Sequence, residues 1–378
     1  NNKLTKISEP NNKISDIFEM LIKKTIKKDD EFIPKKELII DLDLKYFELS
    51  SKINGLESLI SFAKNINTEL KYSFNAIKLK SLVKPLEKLN DFIGMENIKN
   101  NISKQIIYYL QDLDNDVNIM HTIITGPPGL GKTKLAHLLS EIYFKMNVFM
   151  IKNEEQNYKC PISNKDIDYK LTIARRSDLV GEYIGHTAIK TQTLINKSLG
   201  GVLFIDEAYA LGNDKKDSFS KECIDTINQN LTENKDKFLL IIAGYEDDLE
   251  SNFFAFNKGL RRRFAFKYSI DPYDYIELAL IFLSKVKACK WSIDENLNLN
   301  ENNDLHNFFK NKYDDFPNYG GDIELLLLSI KIAHSLRIFC KNPKLRKVIN
   351  LEDIIEGFKI FKNTKNENIK REFNGMYL

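Results

Sequence analysis

Eight residues restrict this chain more than any other feature. Gly126-Pro127-Pro128-Gly129-Leu130-Gly131-Lys132-Thr133 lies between the apolar run His121-Thr122-Ile123-Ile124-Thr125 and an amphipathic stretch from Lys134 to Phe144. The run reads as a buried strand and the stretch as a helix, and GxxxxGK[ST] in that setting makes a phosphate-binding loop. Its glycines let backbone N–H groups curl around phosphates, and the helix N-terminus adds the positive end of its dipole. Lys132 supplies a mobile point charge for β- and γ-phosphates, and Thr133 a hydroxyl for Mg²⁺.

The surrounding pattern fits such a loop. Beyond the first strand, Tyr169-Lys170-Leu171-Thr172-Ile173, Gly201-Val202-Leu203-Phe204-Ile205, Phe238 to Ala243 and Phe264 to Tyr268 read as four more strands alternating with helices. That alternation is the mark of a parallel α/β sheet with helices on both faces. The third strand runs into Asp206-Glu207, which puts two carboxylates at the C-terminal edge of the sheet, where open α/β sheets bind ligands. Asp206 is suited to the Mg²⁺ shell and Glu207 to polarising a water as general base. The expectation is therefore ATP with Mg²⁺, and a hydrolase.

At 378 residues the chain has room for two or three domains. Residues 1–88 read as a mainly helical region, with Ile14 to Ile22 an amphipathic helix, Glu37 to Ile40 a weak strand signal, and Tyr46 to Leu82 mostly helical. Residues 89–271 form the α/β domain, with an Asn-, Lys- and Glu-rich insertion over about 150–167. After Asp271-Pro272 comes a helical domain, 272–365, with helices over Tyr275 to Lys287, Leu305 to Tyr313, Ile323 to Phe339 and Leu351 to Lys362. A polar tail, 366–378, ends the sequence. The net charge of +3 argues against nucleic acid or an anionic membrane as partner. No run approaches the roughly 20 apolar residues of a membrane span. Four scattered cysteines point to a reducing, cytoplasmic compartment. Asn1-Asn2-Lys3-Leu4 carries neither an initiator Met nor the apolar core of a signal peptide, so the chain is expected to be a trimmed product.

From about Leu89 to Phe361 the sequence resembles AAA+ ATPases, and within them the branch of red-type Rubisco activase and stage V sporulation protein K. The residues that carry this are Asp178-Leu179-Val180-Gly181-Glu182-Tyr183-Ile184-Gly185-His186-Thr187-Ala188, Gly200 through Leu211, Ala243-Gly244-Tyr245 and Asn257-Lys258-Gly259-Leu260. Asp217 to Thr226 and Ile332-Ala333-His334-Ser335 are similar to relatives encoded by large DNA viruses, so a viral source is one expectation. The resemblance implies that residues 272–365 are a lid on the nucleotide, and that Ile93, Gly94 and Gly321 approach adenine and ribose. It implies that Arg263 is an arginine finger reaching a neighbouring subunit, and that Tyr183 and Ile184 form a loop facing a central pore. It implies that Tyr245 stands where many relatives place Asn or Thr to orient water. A tyrosine packed beside a loop, a solvated arginine cluster and a plain core segment are the competing readings of Tyr183, Arg263 and Ile93. His186 and His334 read as packed residues, since the chemistry needs no histidine.

The implied function is a homo-oligomeric ring, six subunits by family, that remodels or threads a protein client. The alternatives are a nucleic-acid motor or loader, and an ATP-gated assembly scaffold; a scaffold has no need for the general base.

Overall fold

The computed structural model describes residues 53–111, 113, 121–146, 148, 170–183, 185–212, 217–235, 237–257, 259–294 and 304–375. The helix expected at Ile14 to Ile22, the strand at Glu37 to Ile40, the insertion at 150–167 and the pore-loop residue Ile184 lie outside the described residues.

Five strands, β1 (His121–Thr125), β2 (Leu171–Ala174), β3 (Val202–Ile205), β4 (Leu239–Gly244) and β5 (Phe264–Ser269), form one parallel sheet in the order β2-β3-β4-β1-β5. Every residue of β1, β3 and β4 is buried, whereas the edge strands β2 and β5 are buried only in part. The difference follows from position: an interior strand covered on both faces reads as a continuous apolar run, and an edge strand need not. Side chains alternate across the sheet. Phe204, Ile241 and Ile124 accordingly join one hydrophobic cluster, while Leu203, Ile205, Leu240, Ile242 and Ile123 join the other. Each such large side chain contributes roughly 1.5–3 kcal/mol by leaving water.

The first cluster extends well past the sheet. It contains Leu59, Leu86, Ile102 and Leu135, from helices α1 (Leu56–Asn65), α3 (Val83–Asn90), α4 (Glu96–Leu110) and α5 (Lys132–Lys145), with the short α2 (Ala76–Ser81) beside them. Helix α3 runs through positions 88 and 89, where the sequence suggests a boundary, and no break in packing occurs there. Glu141 of α5 accepts an ion pair from Lys88 of α3 at 2.8 Å.

On the other face lie α6 (His186–Ser198) and α7 (Ser218–Glu233). The C-terminal region has α8 (Tyr275–Ala288), α9 (Asp304–Asn311), α10 (Gly320–Ile338), α11 (Leu351–Gly375) and a two-stranded ribbon, β6 (Ser292–Ile293) with β7 (Val348–Ile349). Asp274 opens α8 with a capping box to Glu277, which starts the helix three residues after Pro272. Helix α11 continues to Gly375, through residues that read as polar tail. His334 is buried with its Nδ1 2.9 Å from Asp353, whose carboxylate also takes Arg337 Nε at 2.7 Å. This places His334 in a structural ion cluster far along α10 from the Gly321 end.

Candidate functional site

Topology builds the site. Strands β1 and β3 flank β4, so the chain leaving β4 emerges between the loop after β1 and the acids after β3. Register keeps them level: Thr125 pairs with Gly244, and Ile205 with Ile242. Two strand spacings, about 10 Å, separate the outer pair. Pro128 to Thr133, Asp206, Glu207 and Tyr245 thus line one cavity of about 720 Å³, together with Phe92, Ile93, Tyr273, Ile281, Gly320 and Gly321. That size falls within the roughly 300–1,000 Å³ of small-molecule sites.

The loop's backbone needs its glycines. Gly126 has φ +147°, and a Cβ there would lie 2.8 Å from the Ile270 carbonyl oxygen. Gly129 has φ +76° and a Cβ there would run into the Asn318 carbonyl, because the loop presses on the start of α10. Gly320 N–H donates to the Gly129 carbonyl at 3.2 Å, and the Tyr273 hydroxyl donates to the Leu130 carbonyl at 3.0 Å. The C-terminal helical region therefore touches the phosphate loop directly. The Asn318 turn is itself held: Asp322, buried, accepts from Asn318 N–H at 2.8 Å and from Lys365 Nζ of α11 at 2.9 Å. Gly129→Ala is expected to strain the loop and push off the Asn318 turn, weakening ADP binding at least tenfold. Calorimetric titration checks this, and unchanged affinity would mean that the contact is incidental.

Lys132 Nζ donates to the Gly126 and Pro127 carbonyls, both at 2.8 Å, which folds its ammonium back over the loop. Burial lowers its pKa, and the charges of Asp206 and Glu207 oppose that shift. Those carbonyl bonds are ones a bound phosphate would replace with stronger bonds between opposite charges. Thr133 Oγ1 donates to Asp206 Oδ2 at 3.1 Å, so a hydroxyl and a carboxylate share one point beside the loop. Two hard oxygen donors next to a phosphate cradle fit Mg²⁺, which is bound by few protein ligands and completes its shell with water and phosphate.

Glu207 is exposed and holds φ +53°, an uncommon backbone for a non-glycine residue. Such outliers persist where surrounding structure enforces them, often at functional sites. Tyr245 stacks on Tyr209 at 5.6 Å between centroids and 24° between planes, and its ring centre is 5.3 Å from Lys132 Nζ.

Not every expected residue sits in the cavity. Gly126 and Pro127 contribute carbonyls to Lys132 and do not line it, and neither does Gly94, which lies against the Glu277 carboxylate. Arg263 is remote from the cavity, on the short turn Arg261–Arg263 that enters β5, with its Nε donating to Asn228 Oδ1 at 3.1 Å. Tyr183 is 66% exposed and stands edge-on to His186 at 5.5 Å. Lys88, Asp91 and Lys285 line the cavity without any sequence motif to announce them, and Tyr209 and Glu324 line it with no role read from the sequence; Lys285 and Glu324 form an ion pair.

A phosphate cradle with an acidic partner and a second carboxylate beside it is the equipment of a nucleoside-triphosphate hydrolase. Comparison with known proteins takes this further. The family described as ATPase family associated with various cellular activities (AAA) matches residues 122–271. The Holliday junction DNA helicase RuvB P-loop domain matches residues 83–152. A cfxQ-like protein of Acanthamoeba polyphaga mimivirus is 44% identical over 338 residues, 88% of this chain and 78% of its own length. Stage V sporulation protein K of Bacillus subtilis (strain 168) is 36% identical over 245 residues, 62% of this chain and 69% of its own. Among solved structures, the FIGL-1 AAA domain in complex with ADP shares the fold, with a TM-score of 0.51 at 16% identity over 72% of this chain and 83% of its own. The chain belongs to the AAA family of ATPases, and its chemistry is nucleotide binding and ATP hydrolysis. The stage V sporulation protein K branch expected from the sequence is the one these relatives represent. Among the described residues, no helix is long and apolar enough to cross a membrane.

Proposed function

We propose that copies of this chain form a ring, of six by family resemblance, that spends ATP hydrolysis on pulling a protein segment through its centre. Bound Mg²⁺ would screen the β- and γ-phosphate charges, held by Thr133 and Asp206. Lys132 leaves the Gly126 and Pro127 carbonyls for the phosphates, and Glu207 takes a proton from the attacking water. Tyr245, between Lys132 and Glu207 in the sheet order, would orient that water. Ile93 and Gly321 are the walls for base and ribose. Arg263 serves the site of the adjoining subunit, where it stabilises charge in the transition state. The C-terminal helical region acts as the lid. Its direct contacts with Gly129 and Leu130 supply a route by which a change at the phosphates moves α10 and α11.

The observation that carries the threading reading is Tyr183. Its side chain is 66% exposed, and it stands at a turn between Gly181 and Gly185 rather than packed in a core. A ring can grip an extended chain without reading its sequence. Ile184, next to it, would share that role. Tyr183→Ala is expected to leave basal phosphate release within about twofold of the parent, because the residue lies outside the cavity. The test is stimulation of hydrolysis by a permanently unfolded protein such as casein. Stimulation by casein that Tyr183→Ala removes supports threading; stimulation that survives the substitution contradicts it.

The match to the RuvB P-loop domain supports one competing reading, a nucleic-acid motor. Single-stranded DNA would then stimulate hydrolysis in casein's place, and the effect would fall steeply with salt.

A further inference from the structure

The last turn of α10 and the loop that leaves it have no task in ATP hydrolysis. Between Glu324 and Glu352 the sequence holds six Lys or Arg and no carboxylate. The whole chain's charge of +3 averages this asymmetry away. Two of the six are engaged: Arg337 is held by Asp353, and Lys331 Nζ lies 5.5 Å over the Trp291 ring. The other four, Lys341, Lys344, Arg346 and Lys347, are exposed, and none has an ion-pair partner among the described residues. The ribbon of β6 and β7 adds a fifth. Ser292 N–H donates to the Lys347 carbonyl at 2.9 Å, which brings the exposed Lys290 beside them.

The loop is held in shape. Lys341 N–H donates to the Ile338 carbonyl at 2.9 Å, and Arg346 N–H to the Pro343 carbonyl at 3.1 Å. Asn342 Oδ1 caps the turn Pro343–Leu345 by accepting from Lys344 N–H at 2.9 Å. Arg337 Nη2 donates to the Val348 carbonyl at 3.2 Å, which fastens the returning chain to α10. Large apolar side chains stand out among these cations: Phe339 is 79% exposed, Leu336 75%, and Leu345 is exposed as well. Cations alone would suit any polyanion. Leu336 and Leu345 narrow the choice, because an aliphatic side chain gives a nucleic-acid base no ring to stack on, whereas acyl chains accept it. We propose that this loop and the last turn of α10 dock the protein on an anionic phospholipid bilayer. The cations meet the headgroups, and Leu336, Phe339 and Leu345 enter the boundary with the acyl chains. A preformed loop loses little freedom on docking. Phe339 lies about 27 Å along the helix from Gly321, so docking leaves the nucleotide cavity free.

The test is co-sedimentation of the full chain with phosphatidylcholine vesicles, with and without one-third phosphatidylserine. Binding is expected only where the serine lipid is present, and it should weaken as salt rises. Each Lys or Arg at an anionic surface strengthens binding roughly fivefold. Lys344→Gln, Arg346→Gln and Lys347→Gln together should therefore weaken it about a hundredfold. Leu336→Ser with Phe339→Ser keeps every charge and should weaken it at least tenfold. Both variants are expected to keep basal phosphate release within about twofold of the parent, which reports that they fold. Failure of the parent chain to bind the serine-lipid vesicles overturns the proposal. So does binding that the charge variant leaves unchanged. Loss in the charge variant alone, with the apolar variant at full strength, would make the patch a plain counterion surface and also overturns it. Tight binding of single-stranded DNA in place of the vesicles would assign the patch to nucleic acid instead.

Discussion

Glu207→Gln is expected to cut steady-state phosphate release by two orders of magnitude or more while ATP binding stays within a few-fold of the parent. The substitution keeps the size of the side chain and removes its ability to take a proton. Binding should survive because the contacts that hold phosphates come from elsewhere: the loop backbone, Lys132 and Thr133, with Asp206 still in place. The backbone at Glu207, at φ +53°, is fixed by the turn that follows and asks nothing of the carboxylate. A trapped, ATP-bound assembly is the expected state of this variant. Phosphate release measured beside nucleotide binding checks both halves. Loss of binding together with turnover would move Glu207 from chemistry to architecture.

Arg263→Ala should lower turnover about a thousandfold, the scale on which arginine fingers act. Geometry decides that the arginine cannot serve its own cavity. It enters β5 at the N-terminal end, where His121 of β1 pairs with Phe264, and the cavity lies at the C-terminal ends of the strands. Six residues of β5 span about 20 Å. An arginine side chain covers about a third of that. Its present partner, Asn228 on α7, offers only a neutral amide oxygen, which an anionic phosphate would readily outcompete. Adenine-nucleotide affinity of the isolated chain should change little in this variant, in contrast to its turnover.

The readable part of this molecule was the part in which chemistry and backbone demand the same residues. A phosphate loop needs glycines at fixed offsets, and an apolar run ending in two acids has few places to go in a parallel sheet; Gly126 to Thr133 and Asp206-Glu207 stand out for those reasons. The sheet itself was legible because β1, β3 and β4 are covered on both faces and therefore lack polar interruptions. Contacts between distant segments left no such trace. That α1 to α4 join the core beneath α5, or that Asn318 presses on Gly129, depends on tertiary packing with no local period or motif. Tyr209 was hidden for another reason. A tyrosine two residues beyond Glu207 reads equally well as core, and only the stack on Tyr245 shows which way it faces. The length of α11 was missed because a polar helix end lacks the apolar periodicity that marks a helix in sequence.

The central claim is an active site completed by a second copy of the chain, and mixing two inactive variants tests it most directly. Glu207→Gln retains Arg263, and Arg263→Ala retains Glu207. Combined at equal amounts with ATP and Mg²⁺, they should recover about a quarter of wild-type phosphate release per subunit, the share of randomly paired neighbours in which an intact base faces an intact arginine. Recovery that rises with protein concentration and needs both variants is the predicted result. A mixture no more active than either variant alone would contradict the account and place the arginine's action within its own chain, or outside the chemistry altogether.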